Sequence, residues 1–588
     1  MGTLLPLGVV DAAEAVETAK STLVGLDWAV IAVYFGVIAF IAWWSGRNQK
    51  DTTDYFLAGR NAGWFVIGAS IFTSNIGSEH IVGLAGQGAS TGMAMAHWEL
   101  HAWVLIMLAY IFVPFYYRSG VYTIPEFLEK RFGPTARGIL SGVSLAAYVL
   151  TKVSVTVYAG AIVFEALLPE VSINIGGVTW GPFWVGAFTT VILTGLYTVF
   201  GGMRAVLYTS APQAIILVIG SGFITFYGLG QLGGWGEMVS ICKDNAEQFA
   251  LWRPLSDPEF PWLGVLIASP IIGIWYWCTD QYIVQRALTA KDLATARRGS
   301  LFGGLLKVTP VLIFLIPGLM GWALHDKGII NIPMKMNEAG VEVVNGDLVF
   351  PTLVTSLLPD GMRGLIIACM LAALMSSLAS LFNSSASLFT VDIYEKLVPN
   401  RSQKHYVGAG RVATTVVVLL GMVWIPVMNK IAGGGLYQYL QSAQSYLAPP
   451  ITAVFLLGVF WKRMNRAGAV WGLSVGFILG LSKLTIQALF GAAEGKLHTP
   501  VLAPIGDYLW LYASGWLMAI SVIVMVVASL MTPPPPKEEP EGLTYSSIAG
   551  GDAHDEIKAS WDKGNKTLAW VIGLLVLAMY TYFTFWLK

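Results

Sequence analysis

Charge is scarce in this chain. Only 12% of its 588 residues are charged against 55% hydrophobic, too little polar surface to coat a water-soluble globule of that size. The 35 basic and 35 acidic side chains cancel, so no cationic excess exists to meet a phosphate backbone, and nucleic-acid binding is excluded. Cysteine is nearly absent. Cys242, Cys278 and Cys369 stand far apart, without metal-ligand spacing or a disulfide framework. The first 26 residues lack a basic n-region and carry Asp11, Glu14 and Glu17 where an apolar stretch would sit, so no cleaved signal peptide is expected. No nucleophile, base and oxyanion constellation appears. The neighbours Glu79 and His80 would point about 100° apart on a helix, so the chain does not read as an enzyme.

Apolar runs, by contrast, fill most of the chain. A helix needs roughly 20 apolar residues to cross a bilayer core, and about fourteen such stretches can be placed. They centre near Tyr34, Phe72, Leu105, Ala147, Thr190, Val218, Ile271, Val311, Ala373, Leu419, Val454, Gly476, Ile520 and Leu574. The expected fold is an all-α polytopic membrane protein. Basic residues concentrate in alternate loops, among them Arg60, Arg118, Arg131, Arg137, Arg286, Arg297, Arg298, Arg401, Arg463 and Arg466. That face is expected to be cytoplasmic, which places both termini outside, in a plasma (inner) membrane. The stretch 532–566, with its run of prolines and mixed charges, reads as a disordered cytoplasmic loop, dispensable for transport.

Polar residues inside such spans mark either helix packing or a helix that breaks around a solute. The first cluster is Thr73-Ser74-Asn75-Ile76-Gly77-Ser78-Glu79-His80, followed by Gly83, Gly86 and Gly88. The glycines alone suit close helix packing. One ionisable residue at membrane depth costs about 3 kcal/mol, so Glu79, His80 and Glu99 together argue for an aqueous, ligand-holding cavity. The second cluster is Tyr276-Trp277-Cys278-Thr279-Asp280-Gln281, whose aromatics would also suit an interfacial belt. Lys307 lies inside the apolar run 301–315 and must pair with an acid or a solute hydroxyl. The third cluster, Ser376, Ser377 and Ser380 continuing through Asn383, Ser384, Ser385 and Ser387, has two readings. Serines bond back to their own helix carbonyls, or they complete an oxygen shell for a hard monovalent cation beside unwound backbone.

Six blocks resemble the sodium/solute symporters, and within them the sodium/glucose cotransporter branch. They are DYFLAGR from Asp54, SNIGSEHIVGLAG from Ser74, GVYTIPEFLEKRF from Gly120, WYWCTDQYIVQR from Trp275, SSLASLFNSSASLFTVDIY from Ser376 and YLAPPITAVFLLGVFWKR from Tyr446. The resemblance implies a LeuT-type core of two inverted five-helix repeats at 61–231 and 261–461. A segment with one extra helix (1–60) precedes it, an extracellular loop (232–260) joins the halves, and three helices follow (462–588). It implies a neutral monosaccharide of the glucose or galactose type bound by Asn75, His80, Glu99, Lys307, Gln441 and Gln281, with Trp277 alongside. Tyr276 would be the inner gate, and Leu84, Trp98 and Tyr437 the outer one. For Na+ it implies the carbonyls of Thr73, Ile76 and Ala373 and the hydroxyls of Ser376 and Ser377. Ser210 and Ala379 depart from the pattern of a second sodium site, so one sodium per sugar is expected. Another small organic solute remains open as the cargo, as does a sugar sensor or sodium-leak channel of the same fold.

Overall fold

All the apolar centres named above fall inside helices of the computed structural model, which describes residues 23–588 apart from 48, 337–341, 432–435, 493–495, 536–542 and 549–552. Among the described residues, eleven stretches are long and apolar enough to cross a membrane. The Thr190 and Val218 centres share one of them, while Phe72 and Ala147 sit on helical stretches outside that set. The helices that position the site are α1 (Gly25–Ser45), α2 (Trp64–Asn75), α3 (Ala85–Thr91), α4 (Ile124–Phe132), α5 (Pro134–Ala147), α6 (Pro182–Leu232), α7 (Trp262–Ile274), α8 (Gln281–Ala287), α9 (Leu293–Leu306), α10 (Met362–Ser387), α11 (Leu436–Phe460), α12 (Arg466–Leu489), α13 (Trp510–Met531) and α14 (Lys563–Phe585). Two antiparallel hairpins, Ile173–Ile175 with Val178–Trp180 and Met334–Met336 with Glu342–Val344, are the only sheets among the described residues.

At 51 residues α6 is far longer than a bilayer crossing requires. It folds back at Gly202, whose φ of +54° only glycine adopts without strain. A side chain there would also strike the carbonyl oxygen of Tyr55. The folded helix packs along α10, α2 packs along α9, and α11, α12 and α13 pack on one another. Outward faces stay apolar, as on α14, where Trp570, Leu574 and Leu577 are exposed, because lipid and not water covers them.

Two of the glycines after the first polar cluster, Gly86 and Gly88, serve helix packing. A Cβ on Gly88 would come within 2.4 Å of the Leu315 carbonyl oxygen. Backbone cannot yield as a side chain can, so Gly88→Val is expected to cost about 3 kcal/mol or more. The checking measurement is the melting temperature of purified protein, with Gly138→Ala, whose Cβ would meet nothing within 4 Å, as an unaffected control.

Three expectations need correction. Within 532–566, the segments Tyr545–Ile548 and Ala553–Ser560 are helical, not disordered. Arg297 accounts for the second, since its Nη1 donates to Ile557 O and Ser560 Oγ, both at 2.7 Å. Arg137, Arg286 and Arg297, counted as loop cations, are buried in the bundle. The joining loop 232–260 also contains helices, at Trp235–Asp244 and Ala246–Phe249.

Candidate functional site

Asn75 ends α2. Its successor Ile76 turns extended (φ −88°, ψ 100°), and the helix resumes only at Glu79. A second helix breaks at Asp280 (φ −84°, ψ 125°) between the turn Trp275–Thr279 and α8. Such breaks leave the last carbonyls of one half and the first N–H groups of the next without helical partners, which frees them for ligands. Two further interruptions supply charge. Glu99 closes the short helix Ala96–Glu99, and Lys307 caps α9 before the chain resumes at Val311.

Between these four interruptions lies a cavity. Asn75, His80, Trp98, Glu99, Tyr276, Trp277, Lys307 and Gln441 all line it, as do Glu79, His101, Lys152, Thr156, Tyr282 and Gln444. Lys307 finds the acid that the sequence required. Its Nζ lies 2.5 Å from Glu99 Oε2 and 2.8 Å from Asn75 Oδ1, with the Trp277 ring centroid 5.4 Å away. The Asn75 amide donates to Tyr276 OH at 3.2 Å. His80 stands between two carboxylates, 3.8 Å from each of Glu79 and Glu99.

A second buried ion pair escaped the sequence reading. Lys152 Nζ lies 2.5 Å from Asp280 Oδ2, and Tyr148 OH donates to the other carboxylate oxygen. The ammonium is enclosed by Tyr276, Tyr282, Tyr148 and Trp275, with ring centroids 4.6 to 5.1 Å away. A signal existed: Lys152 is a lone charge in the apolar run around Ala147, and Asp280 belongs to the second cluster.

Not every expected residue reaches the cavity. Gln281 does not line it; its Oε1 accepts from the Ile124 N–H at 2.8 Å and its Nε2 donates to Tyr122 O at 3.4 Å, tying the second break to the start of α4. Leu84 is buried in the core but is not a lining residue. The side chain of Tyr437 lies outside the described residues.

The five expected sodium residues, Thr73, Ile76, Ala373, Ser376 and Ser377, are all buried, on the first break and on α10. Ser377 Oγ donates to Ser74 O at 3.1 Å, and Ser74 Oγ lies 2.7 Å from Ser380 Oγ, so α10 is joined directly to the unwound end of α2. Ser376 Oγ is 3.4 Å from Ser210 Oγ. Thr73 turns its hydroxyl back to Ala69 O at 3.0 Å.

The profile of the Sodium:solute symporter family matches residues 55–476. The chain is 38% identical to sodium/glucose cotransporter 4 of Danio rerio, over 93% of this chain and 84% of that protein. It is likewise 38% identical to sodium/glucose cotransporter 1 of Oryctolagus cuniculus (89% and 81% covered) and 36% identical to the sodium/myo-inositol cotransporter of Canis lupus familiaris (90% and 76%). Among solved structures, a Na+-coupled sialic acid symporter in a substrate-bound outward-open state superimposes with a TM-score of 0.71 at 22% identity, covering 87% of this chain and 99% of that one. That likeness bears on the fold alone, which is of the LeuT type. Together with the broken helices and the charged cavity between them, these matches identify the chain as a member of the sodium:solute symporter family, a multi-pass membrane protein that couples solute to sodium and is a transporter, not an enzyme.

Proposed function

We propose that the protein is a symporter for a neutral monosaccharide of the glucose or galactose type, moving one sodium per sugar by alternating access across a plasma (inner) membrane, with both termini outside. The observation that carries the reading is the Lys307–Glu99 pair beside Tyr276 and Trp277. Because the ammonium is already neutralised, the cavity offers no unmatched positive charge to a carboxylate. It offers hydrogen-bond donors and acceptors beside flat aromatic faces, which is what a sugar ring needs. Asn75, His80, Glu99, Lys307 and Gln441 then hold the hydroxyls, Trp98 covers the solute from outside, and Tyr276 closes the path inward. Myo-inositol presents the same chemistry. The 36–38% identity to myo-inositol cotransporters keeps it as a second cargo to be ranked.

Sodium sits at the first break, on the carbonyls of Thr73, Ile76 and Ala373 and the hydroxyls of Ser376 and Ser377. It favours the outward-open state through a difference in affinity between two conformations. One ion is sufficient: about 2.3 kcal/mol from ~100 mV and about 1.4 kcal/mol from a tenfold gradient support accumulation on the order of a few hundredfold.

The test is uptake of radiolabelled glucose, galactose and myo-inositol into proteoliposomes, under a sodium or a potassium gradient, with and without an inside-negative potential. Concentrative, sodium-dependent, potential-enhanced uptake is expected; mere equilibration would favour a leak channel or sensor. A pair of variants separates cargo contact from scaffold. Gln441→Leu is expected to raise the solute KM about tenfold or more with little change in melting temperature, for the loss of one hydrogen bond to a cavity hydroxyl. Gln281→Leu is expected to behave oppositely, costing about 1–3 kcal/mol of stability by stranding the Ile124 N–H, with KM little changed.

A further inference from the structure

A lone lysine in an apolar run needs a reason to stay charged. Lys152 lies on the turn Tyr148–Val153 that follows α5, where the helix widens and Ser154 Oγ donates to Val149 O, five residues back, at 3.0 Å. Widened turns of this kind are frequent at functional sites. This one presents two groups to the second helix break. Lys152 Nζ donates to Asp280 Oδ2 at 2.5 Å, and Tyr148 OH donates to Asp280 Oδ1 while accepting from the Tyr282 N–H at 3.1 Å. The turn therefore grips, at two points, the residue where that helix breaks. Packing alone does not call for the charges, because well-packed apolar side chains of similar volume commonly replace a buried ion pair at no loss of stability.

Two features of the surroundings point to movement. The ammonium sits where two paths from the first break meet. Tyr276, with its ring centroid 4.7 Å from Nζ, accepts at its OH from the Asn75 amide. Tyr282, at 4.6 Å, donates its OH to Ser74 O, the carbonyl that also accepts from Ser377 Oγ. The proposed gate and the proposed sodium shell thus reach one cation through one tyrosine each. Beside the solute cavity, moreover, lies a smaller and mostly apolar pocket lined by Val143, Ala147, Leu447 and Ile451. Lys152 and Gln444 line both, so the lysine stands in the partition between them.

We propose that the Lys152–Asp280 pair is the latch of the inner gate, a reading that rests on Tyr276 being that gate: the pair positions Tyr276 beneath the solute and keeps sodium from crossing alone. While sodium occupies its shell, Ser74 O and Tyr282 are fixed, the rings stay closed around the ammonium and the path inward is shut. Loss of the ion frees Tyr282, the cage loosens, and the Tyr276 ring swings toward the apolar pocket. The latch acts through a difference in stability between two conformations. Weakening it raises the population of the open gate while leaving the solute contacts of the cavity in place.

The experiment measures entry of radiolabelled sodium into proteoliposomes with no solute present, alongside solute uptake. It compares wild type, Tyr148→Phe and the paired variant carrying Lys152→Met and Asp280→Asn. The paired variant leaves neither charge buried without its partner, so its melting temperature should stay close to that of wild type. Its solute-free sodium entry is expected to rise about tenfold or more and its solute accumulation to fall about as far, with solute KM changing less than about threefold. Tyr148→Phe removes one grip on Asp280, while Asp280 Oδ1, 3.2 Å from the Tyr282 N–H, keeps that donor satisfied. This milder variant should fold even where the paired one does not, and should admit sodium about threefold faster than wild type. Sodium entry at the wild-type rate in both variants overturns the proposal, as does a loss of uptake that follows melting temperature without a sodium leak. Failure of wild type to take up glucose, galactose or myo-inositol would overturn the monosaccharide reading instead, because the leak is read with no solute present.

Discussion

Lys307→Ala is expected to abolish concentrative uptake, with solute kcat/KM falling at least a hundredfold. The substitution removes the ammonium 2.5 Å from Glu99 and with it the lysine counter-charge of a carboxylate that is 1% exposed inside the bundle. Removing one partner of a buried pair costs about 3–5 kcal/mol. Part of this will appear as a lower melting temperature, because Glu99 loses its counter-charge and Asn75 Oδ1 loses its 2.8 Å donor. Glu99→Gln with Lys307→Gln separates the two effects. Replacing both charges leaves neither unpaired, so stability should largely return. Transport should not, because the cavity then lacks the charged groups proposed to anchor the solute hydroxyls. If the double variant recovers uptake along with stability, the pair is scaffold and the cargo contacts lie elsewhere.

Ser377→Ala is expected to raise the sodium concentration for half-maximal uptake about tenfold or more, while the maximal rate at saturating sodium changes little, as when one ligand of a cation shell is lost at about 1.4 kcal/mol. Ser377 Oγ now donates to Ser74 O at 3.1 Å, and Tyr282 OH donates to the same carbonyl. A hydroxyl that close to the unwound end of α2 can turn its lone pairs toward a cation without moving either helix. Thr73→Ala is the control. The Thr73 hydroxyl is spent on Ala69 O at 3.0 Å and only its carbonyl is assigned to sodium, so this variant should keep wild-type sodium dependence. Sodium titration of uptake measures both. An unchanged half-saturation in Ser377→Ala, or a shift equally large in Thr73→Ala, would move the ion away from this break.

The membrane class, the first broken helix and much of the cavity were legible in the residue order, and the reasons are local. Asn75, Glu79, His80, Glu99 and Lys307 are polar at depths where hydrocarbon tolerates little, so each announces a cavity wherever the chain takes it. Gly86 and Gly88 are likewise readable as positions where backbones approach closely. Partnership was not legible. Gln281 looks as available as Gln441 in the sequence, yet one amide is consumed by the Ile124 N–H while the other lines the cavity, because only the packing of α8 on α4 brings a stranded N–H within reach. Lys152 stands 128 residues from Asp280. The need for a counter-charge can be read from either residue alone, but the choice of partner depends on how two helices cross. Arg137, Arg286 and Arg297 counted as loop cations until tertiary packing buried them. The depth of a charge is thus written in the hydrophobicity of its neighbours along the chain, whereas its partner is set by neighbours across it, and the second kind of neighbour exists only once the helices have packed.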